Sequence, residues 1–172
     1  TVAVALVTSC VLHADELPPA PEGTFSVVVI PDTQHYKGQL TKLTPDSADP
    51  LTNPTFDNLT RWLVANIDPQ RIAFVSHVGD IVDKNQRDQW VLAQQFMGRL
   101  HGKVPYGISV GNHDMTSTGD SSLFQEVFPQ SRFADFDWYA GCYETAGGEN
   151  AISGNNANSA QRFEAAGMKF II

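Results

Sequence analysis

Residues 72–83 read IAFVSHVGDIVD, and the fold follows from how this stretch is read. β-Branched and aromatic side chains dominate up to Val78, and the run then breaks at Gly79-Asp80. A short, nearly unbroken apolar run suits a strand covered on both faces, as in a parallel sheet. Two other stretches share the plan. Residues 25–34 read FSVVVIPDTQ and break at Pro31-Asp32; residues 104–114 read VPYGISVGNHD and break at Gly111-Asn112. Each predicted strand, over 25–30, 72–78 and 104–110, thus ends at Gly or Pro followed by an oxygen-bearing side chain.

The connections carry helical periodicity. Phe56, Leu59, Leu63 and Ile67 recur at three- and four-residue spacing between the first two strands. Thr55 is read as the N-cap of this helix, and Pro69 lies beyond its end. Trp90, Ala93, Phe96, Met97 and Leu100 repeat the pattern before the third strand, with Gly102 beyond. Strand and helix in alternation predict an α/β fold of parallel neighbours joined by right-handed crossovers. Sites in such sheets form at the carboxyl ends of the strands, where all three polar motifs sit.

The residue types there favour divalent metals. Asp32 and Asp80 offer carboxylates, and Asn112 offers a side-chain carbonyl; hard and borderline cations prefer such donors. A carboxylate is able to bridge two ions about 3.5–4 Å apart, which would clamp the attacking and leaving oxygens of a phosphoryl transfer. His113 follows a ligand directly and is placed to donate a proton or to stabilise charge in the transition state.

Asp32-Thr33-Gln34, then Gly79-Asp80-Ile81-Val82-Asp83, then Gly111-Asn112-His113-Asp114 resembles the calcineurin-like metallophosphoesterase family in order, strand context and adjacent glycines. The resemblance covers about residues 25–115 and extends loosely beyond them. It implies a partial metallophosphoesterase-like β-sandwich flanked by helices, with the motifs at the C-terminal ends of parallel strands. It implies two divalent ions (manganese, iron or zinc) that activate a hydroxide against a phosphomonoester or phosphodiester. By position, Asp32 resembles a ligand of the first metal, Asp80 the bridging aspartate, and Asn112 a ligand of the second. His113 resembles the histidine that contacts phosphate and assists the leaving group. Asp83 resembles the carboxylate that orients that histidine, and Asp114 holds the loop rather than a metal.

Two departures stand out. The family pattern has Asp-x-His where this chain has Gln34, an amide carbonyl in place of an imidazole; a role for Gln34 as ligand and one as simple hydrogen-bonder both stay open. The adjacent His35 is out of phase by one residue. The family's later histidines are also missing, since no histidine follows Asp114. This chain by itself is therefore expected to bind metal weakly and to be inactive. A second function stays in view: a degenerate, non-catalytic extracellular binding module on the same fold.

Other side chains read as structural. His77 lies within a strand and suits a satisfied core histidine, while His13 and His101 fall in a leader and near a helix end. Trp62 and Trp90 suit helix packing. Phe133, Phe136, Trp138 and Tyr139 form a cluster better suited to core than to a substrate pocket. Residues 121–127 suggest a short helix, 38–54 and 147–159 suggest loops, and 168–172 begin another apolar strand.

Bulk properties bound the domain count and the partners. Of 172 residues, 42% are hydrophobic and 17% charged, which favours one packed domain over disorder. The net charge of −8 disfavours a long nucleic acid partner and, with it, a nuclease of the same family. Residues 1–14 read as the remnant of an export signal, residues 15–23 as a Pro-rich linker, and 24–172 as the N-terminal portion of a truncated domain. Cleavage after Ala14 and lipidation at Cys10 are both open, and a buried first strand is the less favoured alternative. An exported protein is expected, periplasmic, surface-anchored or secreted; the oligomeric state is not legible. Cys142 has no expected disulfide partner.

Overall fold

The computed structural model describes residues 17–37, 51–142 and 156–172. The expected leader with Cys10, and most of the two loops expected over 38–54 and 147–159, lie outside the described residues.

The parallel sheet forms as its sequence predicts. Strands β1 (Ser26–Ile30), β2 (Ile72–His77) and β3 (Tyr106–Ile108) pair in that order, with helix α1 (Pro54–Asn66) and helix α2 (Arg87–Met97) as the crossovers. β3 is shorter than the expected 104–110. Its ladder nevertheless extends one bond each way, from Val75 N–H to Pro105 O (3.0 Å) and from Ser109 N–H to His77 O (2.9 Å). Paired residues share a face of a sheet. Val28, Val75 and Tyr106 form one row, and Ile30, His77 and Ile108 the next. These rows face the helices: the Phe56 ring of α1 packs 5.7 Å from that of His77, and edge-on against Phe96 of α2 at 5.3 Å. Ile30, Phe56, Leu63, Val75, Ala93 and Met97 are all fully buried in this layer.

α1 starts earlier than expected. Asn53, not Thr55, is its N-cap: Asn53 Oδ1 accepts from Phe56 N–H at 2.9 Å, and Pro54 occupies the first turn, where its missing N–H costs nothing. Asn53 Nδ2 also donates to Thr33 O, so the cap ties α1 to the segment leaving β1.

A second sheet covers the other face. Beyond helix α3 (Ser122–Val127), strands β4 (Tyr139–Cys142), β5 (Ser159–Ala165) and β6 (Met168–Ile171) form an antiparallel sheet. β4 and β5 were not expected, and Ser159 belongs to a strand rather than to the loop assigned there. The signal for β5 is an alternation: Gln161 and Phe163 are buried, whereas Arg162 and Glu164 are exposed. Ala166-Gly167, both at positive φ, close the β5–β6 hairpin in the manner favoured for two-residue turns. Phe163 stacks on Phe74 of β2 at 5.1 Å and on Phe170 of β6 at 4.8 Å, joining the sheets into a partial sandwich flanked by helices. Val27 and Val29 on β1 remain exposed on that face.

Within the aromatic cluster Phe133 and Tyr139 are buried core, as expected, whereas Phe136 and Trp138 are half-buried and Trp138 also lines a cavity with Phe163 and Phe170. Phe133 stacks on Tyr139 (5.8 Å) and Phe136 on Trp138 (5.0 Å), and His101 sits edge-on to Phe136. In the Pro-rich segment, Ala20 N–H donates to Pro69 O (2.9 Å) and Gln70 Nε2 to Pro18 O (3.0 Å), which lays it along the α1–β2 turn.

Candidate functional site

The carboxyl ends of β1, β2 and β3 each lead into a loop segment, and the three segments are bound together by their own polar atoms. Asp80 is the meeting point. Gly79 (φ 103°) and Asp80 (φ 50°) turn the chain sharply after β2. Two successive left-handed residues are unusual, and aspartate tolerates this region better than most side chains. Asp80 O accepts from Thr33 N–H at 3.1 Å, which fixes the Asp32-Thr33-Gln34 loop against it. Asp80 Oδ1 accepts from His113 N–H at 2.9 Å, which fixes the loop after β3.

Close approach requires glycine on both sides. A Cβ on Gly111 would lie 2.8 Å from Asp80 Cγ and closer still to Asp80 N and Oδ1. One on Gly79 would lie 2.7 Å from Gly111 N. The glycines preceding Asp80 and Asn112 therefore serve to let two loops touch.

Asp114 ties the turn from beneath. It is fully buried, and its Oδ1 accepts from Ile81 N–H (2.8 Å) and Val82 N–H (3.1 Å) while Oδ2 accepts from Gly111 N–H (2.9 Å). Burial raises its pKa and the three N–H donors pull it back down. This agrees with the loop-holding role read from sequence.

His77 performs a similar task one layer deeper. Thr33 Oγ1 donates to Ile81 O (3.0 Å), so it accepts from His77 Nε2–H (3.0 Å); His77 Nδ1 in turn accepts from Gly79 N–H (3.2 Å). Both ring nitrogens are used only in the neutral ring. Burial lowers its pKa from 6.5 to about 4. An unfolded histidine takes its proton near pH 6.5, but native His77 only near 4. Stability is therefore full above pH 6.5 and is lost as pH falls toward 4, by about 2 kcal/mol between pH 7 and pH 5. Urea unfolding of the metal-free chain at these two pH values should show that loss, and His77→Gln should remove most of it. Equal pH slopes for the two proteins would contradict the assignment.

The proposed ligands are less buried than these fixing groups. Asp32 and Asn112 are exposed, and Gln34 and Asp80 are half-buried. Gln34 Oε1 is itself buried and has no hydrogen-bond partner among the described residues. A buried carbonyl oxygen without a donor is costly unless something else meets it, and a cation would. Among the described residues no three His, Cys, Asp or Glu side chains converge as a metal site. The donor set this chain offers is thus two carboxylates and two amide oxygens, an all-oxygen set that fits a hard divalent ion. His35 is exposed.

His113 differs from expectation in one contact. Its Nδ1 lies 2.7 Å from the backbone carbonyl of Asp83, so the orienting partner is the main chain and not the Asp83 carboxylate. A carbonyl only accepts, so in the neutral ring Nδ1 carries the proton and Nε2 does not. In the next helix, Gln89 Oε1 accepts from both Asp83 N–H (2.8 Å) and Lys84 N–H (2.9 Å). Sequence reading missed Thr33 and Gln89 as organisers of the site, whereas His77 is the satisfied core histidine that was expected. For Gln89 a signal existed, a polar residue beside Trp90 on the buried side of α2.

The chain matches the family described as calcineurin-like phosphoesterase over residues 25–166. It is 31% identical over 151 residues to YvnB of Bacillus subtilis (strain 168), an uncharacterized protein, with 86% of this chain and 11% of that one aligned. The chain thus spans about a tenth of the length of this curated relative. Among solved structures, it is similar to the purple acid phosphatase PPD1 from yellow lupin seeds, at 18% identity and a TM-score of 0.43, over 86% of this chain and 24% of that one.

Proposed function

Since this chain belongs to the calcineurin-like phosphoesterase family, we propose that it supplies the front part of the site of a metal-dependent phosphoesterase acting on small phosphomonoesters or phosphodiesters. The observation that carries this reading is the junction at Asp80, whose main-chain carbonyl holds the Asp32–Gln34 loop and whose carboxylate holds the Asn112–His113 turn. Asp32 and Gln34 would hold a first ion, Asn112 a second, and Asp80 both. Bound there, the ions would supply Lewis-acid activation of the phosphoryl group and of the attacking water.

The chain's own contribution is orientation and proton delivery. Asp80 is half-buried and rigidly held, so little reorganisation is needed when positive charge arrives. His113, fixed through Nδ1 on the Asp83 carbonyl, would use Nε2 toward the substrate. In its protonated form Nε2–H would donate to a phosphoryl oxygen and pass its proton to the departing alkoxide. Asp83 contributes through its carbonyl.

Gln34 in place of histidine favours a second reading: a non-catalytic binding module of the same fold. One experiment separates the two. The protein encoded by the complete reading frame is stripped with a chelator and assayed on p-nitrophenyl phosphate and bis-p-nitrophenyl phosphate. Hydrolysis should vanish and return with added manganese, iron or zinc. Undiminished hydrolysis without metal would reject the mechanism, and no hydrolysis with metal restored would favour the binding module.

A further inference from the structure

We propose that Gln89, at the start of α2, is a positioning residue for His113; as a catalytic statement this rests on the function proposed above. Gln89 is 3% exposed, and its Oε1 accepts from two consecutive backbone N–H groups, those of Asp83 and Lys84. One side-chain oxygen thereby fixes the peptide plane between these residues. That plane contains the Asp83 carbonyl, which takes the Nδ1–H of His113 at 2.7 Å. Rotation of the plane would carry the carbonyl away from the ring.

The surroundings make Gln89 the decisive member. Trp90 Nε1 donates to Asn85 Oδ1 (2.7 Å) and Gln86 N–H to Lys84 O (2.7 Å), so the segment is anchored further along. Neither bond acts on the Asp83–Lys84 peptide N–H. His113 is also held by its own N–H on Asp80. That bond fixes the backbone and leaves the ring free to turn. The ring's orientation and tautomer therefore depend on the Asp83 carbonyl, and that carbonyl depends on Gln89. Without it, Nδ1 loses its acceptor and the proton is free to move to Nε2, the nitrogen that must receive and deliver a proton in the reaction.

The test uses ring ¹⁵N resonances together with kinetics. In the wild type, His113 should be the Nδ1–H tautomer with a slowly exchanging ring proton. Gln89→Met keeps the volume but removes the acceptor and should shift the ring toward Nε2–H. Gln89→Glu keeps the acceptor and should restore the wild-type signal. In active protein, Gln89→Met should lower kcat about ten- to hundredfold, the range typical of partners one layer behind a reacting group, with KM and bound metal unchanged. The same change in a His113→Ala background should cost almost nothing further.

An unshifted tautomer in folded Gln89→Met would overturn the proposal, as would an equal kcat loss in the His113→Ala background. Should Gln89→Met fail to fold, the wild type still decides: a His113 ring with its proton on Nε2 overturns the proposal. A protein with no phosphoesterase activity but a ring that depends on Gln89 in this way would refute the catalytic reading while supporting the positioning role.

Discussion

Gly111→Ala is expected to destabilise the chain by about 3 kcal/mol or more, although alanine is welcome at its backbone angles. Gly111 has φ −94° and ψ 179°, ordinary extended backbone. The obstacle is space. The added methyl would press on the main chain and side chain of Asp80, and Asp80 has little room to retreat. Its carbonyl is bound to Thr33 and its carboxylate to His113 N–H, so any shift is passed to all three loops. It would also strain the Gly111 N–H bond to the buried Asp114. Gly98→Ala is the matched control: Gly98 has helical angles, with only the Arg132 guanidinium 3.5 Å from a built Cβ. That change should be neutral or mildly stabilising, because alanine is the better helix former. Urea titrations of the two variants should separate sharply. Equal stability would mean that the loops do not meet as described.

Asp80→Asn should have the opposite profile, with the fold retained and function lost. Asparagine has the same shape, tolerates positive φ, and keeps an oxygen for the His113 N–H. It loses the negative charge that Asp80 would offer to both ions. Stability of the metal-free protein should change by less than about 0.5 kcal/mol, as for substitutions that break no buried contact. Metal affinity and phosphoesterase turnover should fall by at least about a hundredfold, since even residues one layer behind a ligand cost up to that much.

How much of this was legible in the sequence depends on the distance over which each feature is decided. β1, β2 and the two crossover helices are written in local apolar patterns, and their order gave the parallel sheet. The motif residues were legible because glycine and an oxygen donor recur at each strand end. The Asn53-Pro54 pair was a legible helix start that reading from Thr55 overlooked. β5 was harder, because its alternation is short and follows a stretch rich in Gly, Asn and Ser. The lock between Thr33, His77 and Ile81 spans more than forty residues and depends on strand register, which no local pattern encodes. The use of the Asp83 carbonyl instead of its carboxylate was likewise out of reach. It is decided by a peptide plane, and that plane by Gln89 on another element.

The most direct test is an anomalous-difference map from crystals of the protein encoded by the complete reading frame, grown with manganese, for the wild type and Asp80→Asn. The wild type should show manganese about 2.0–2.3 Å from an Asp80 carboxylate oxygen, with Asp32 or Gln34 Oε1 in the same coordination sphere, and Asp80→Asn should show none there. A wild-type map in which manganese is absent from the Asp80 carboxylate, or bound elsewhere on the chain, would contradict the account.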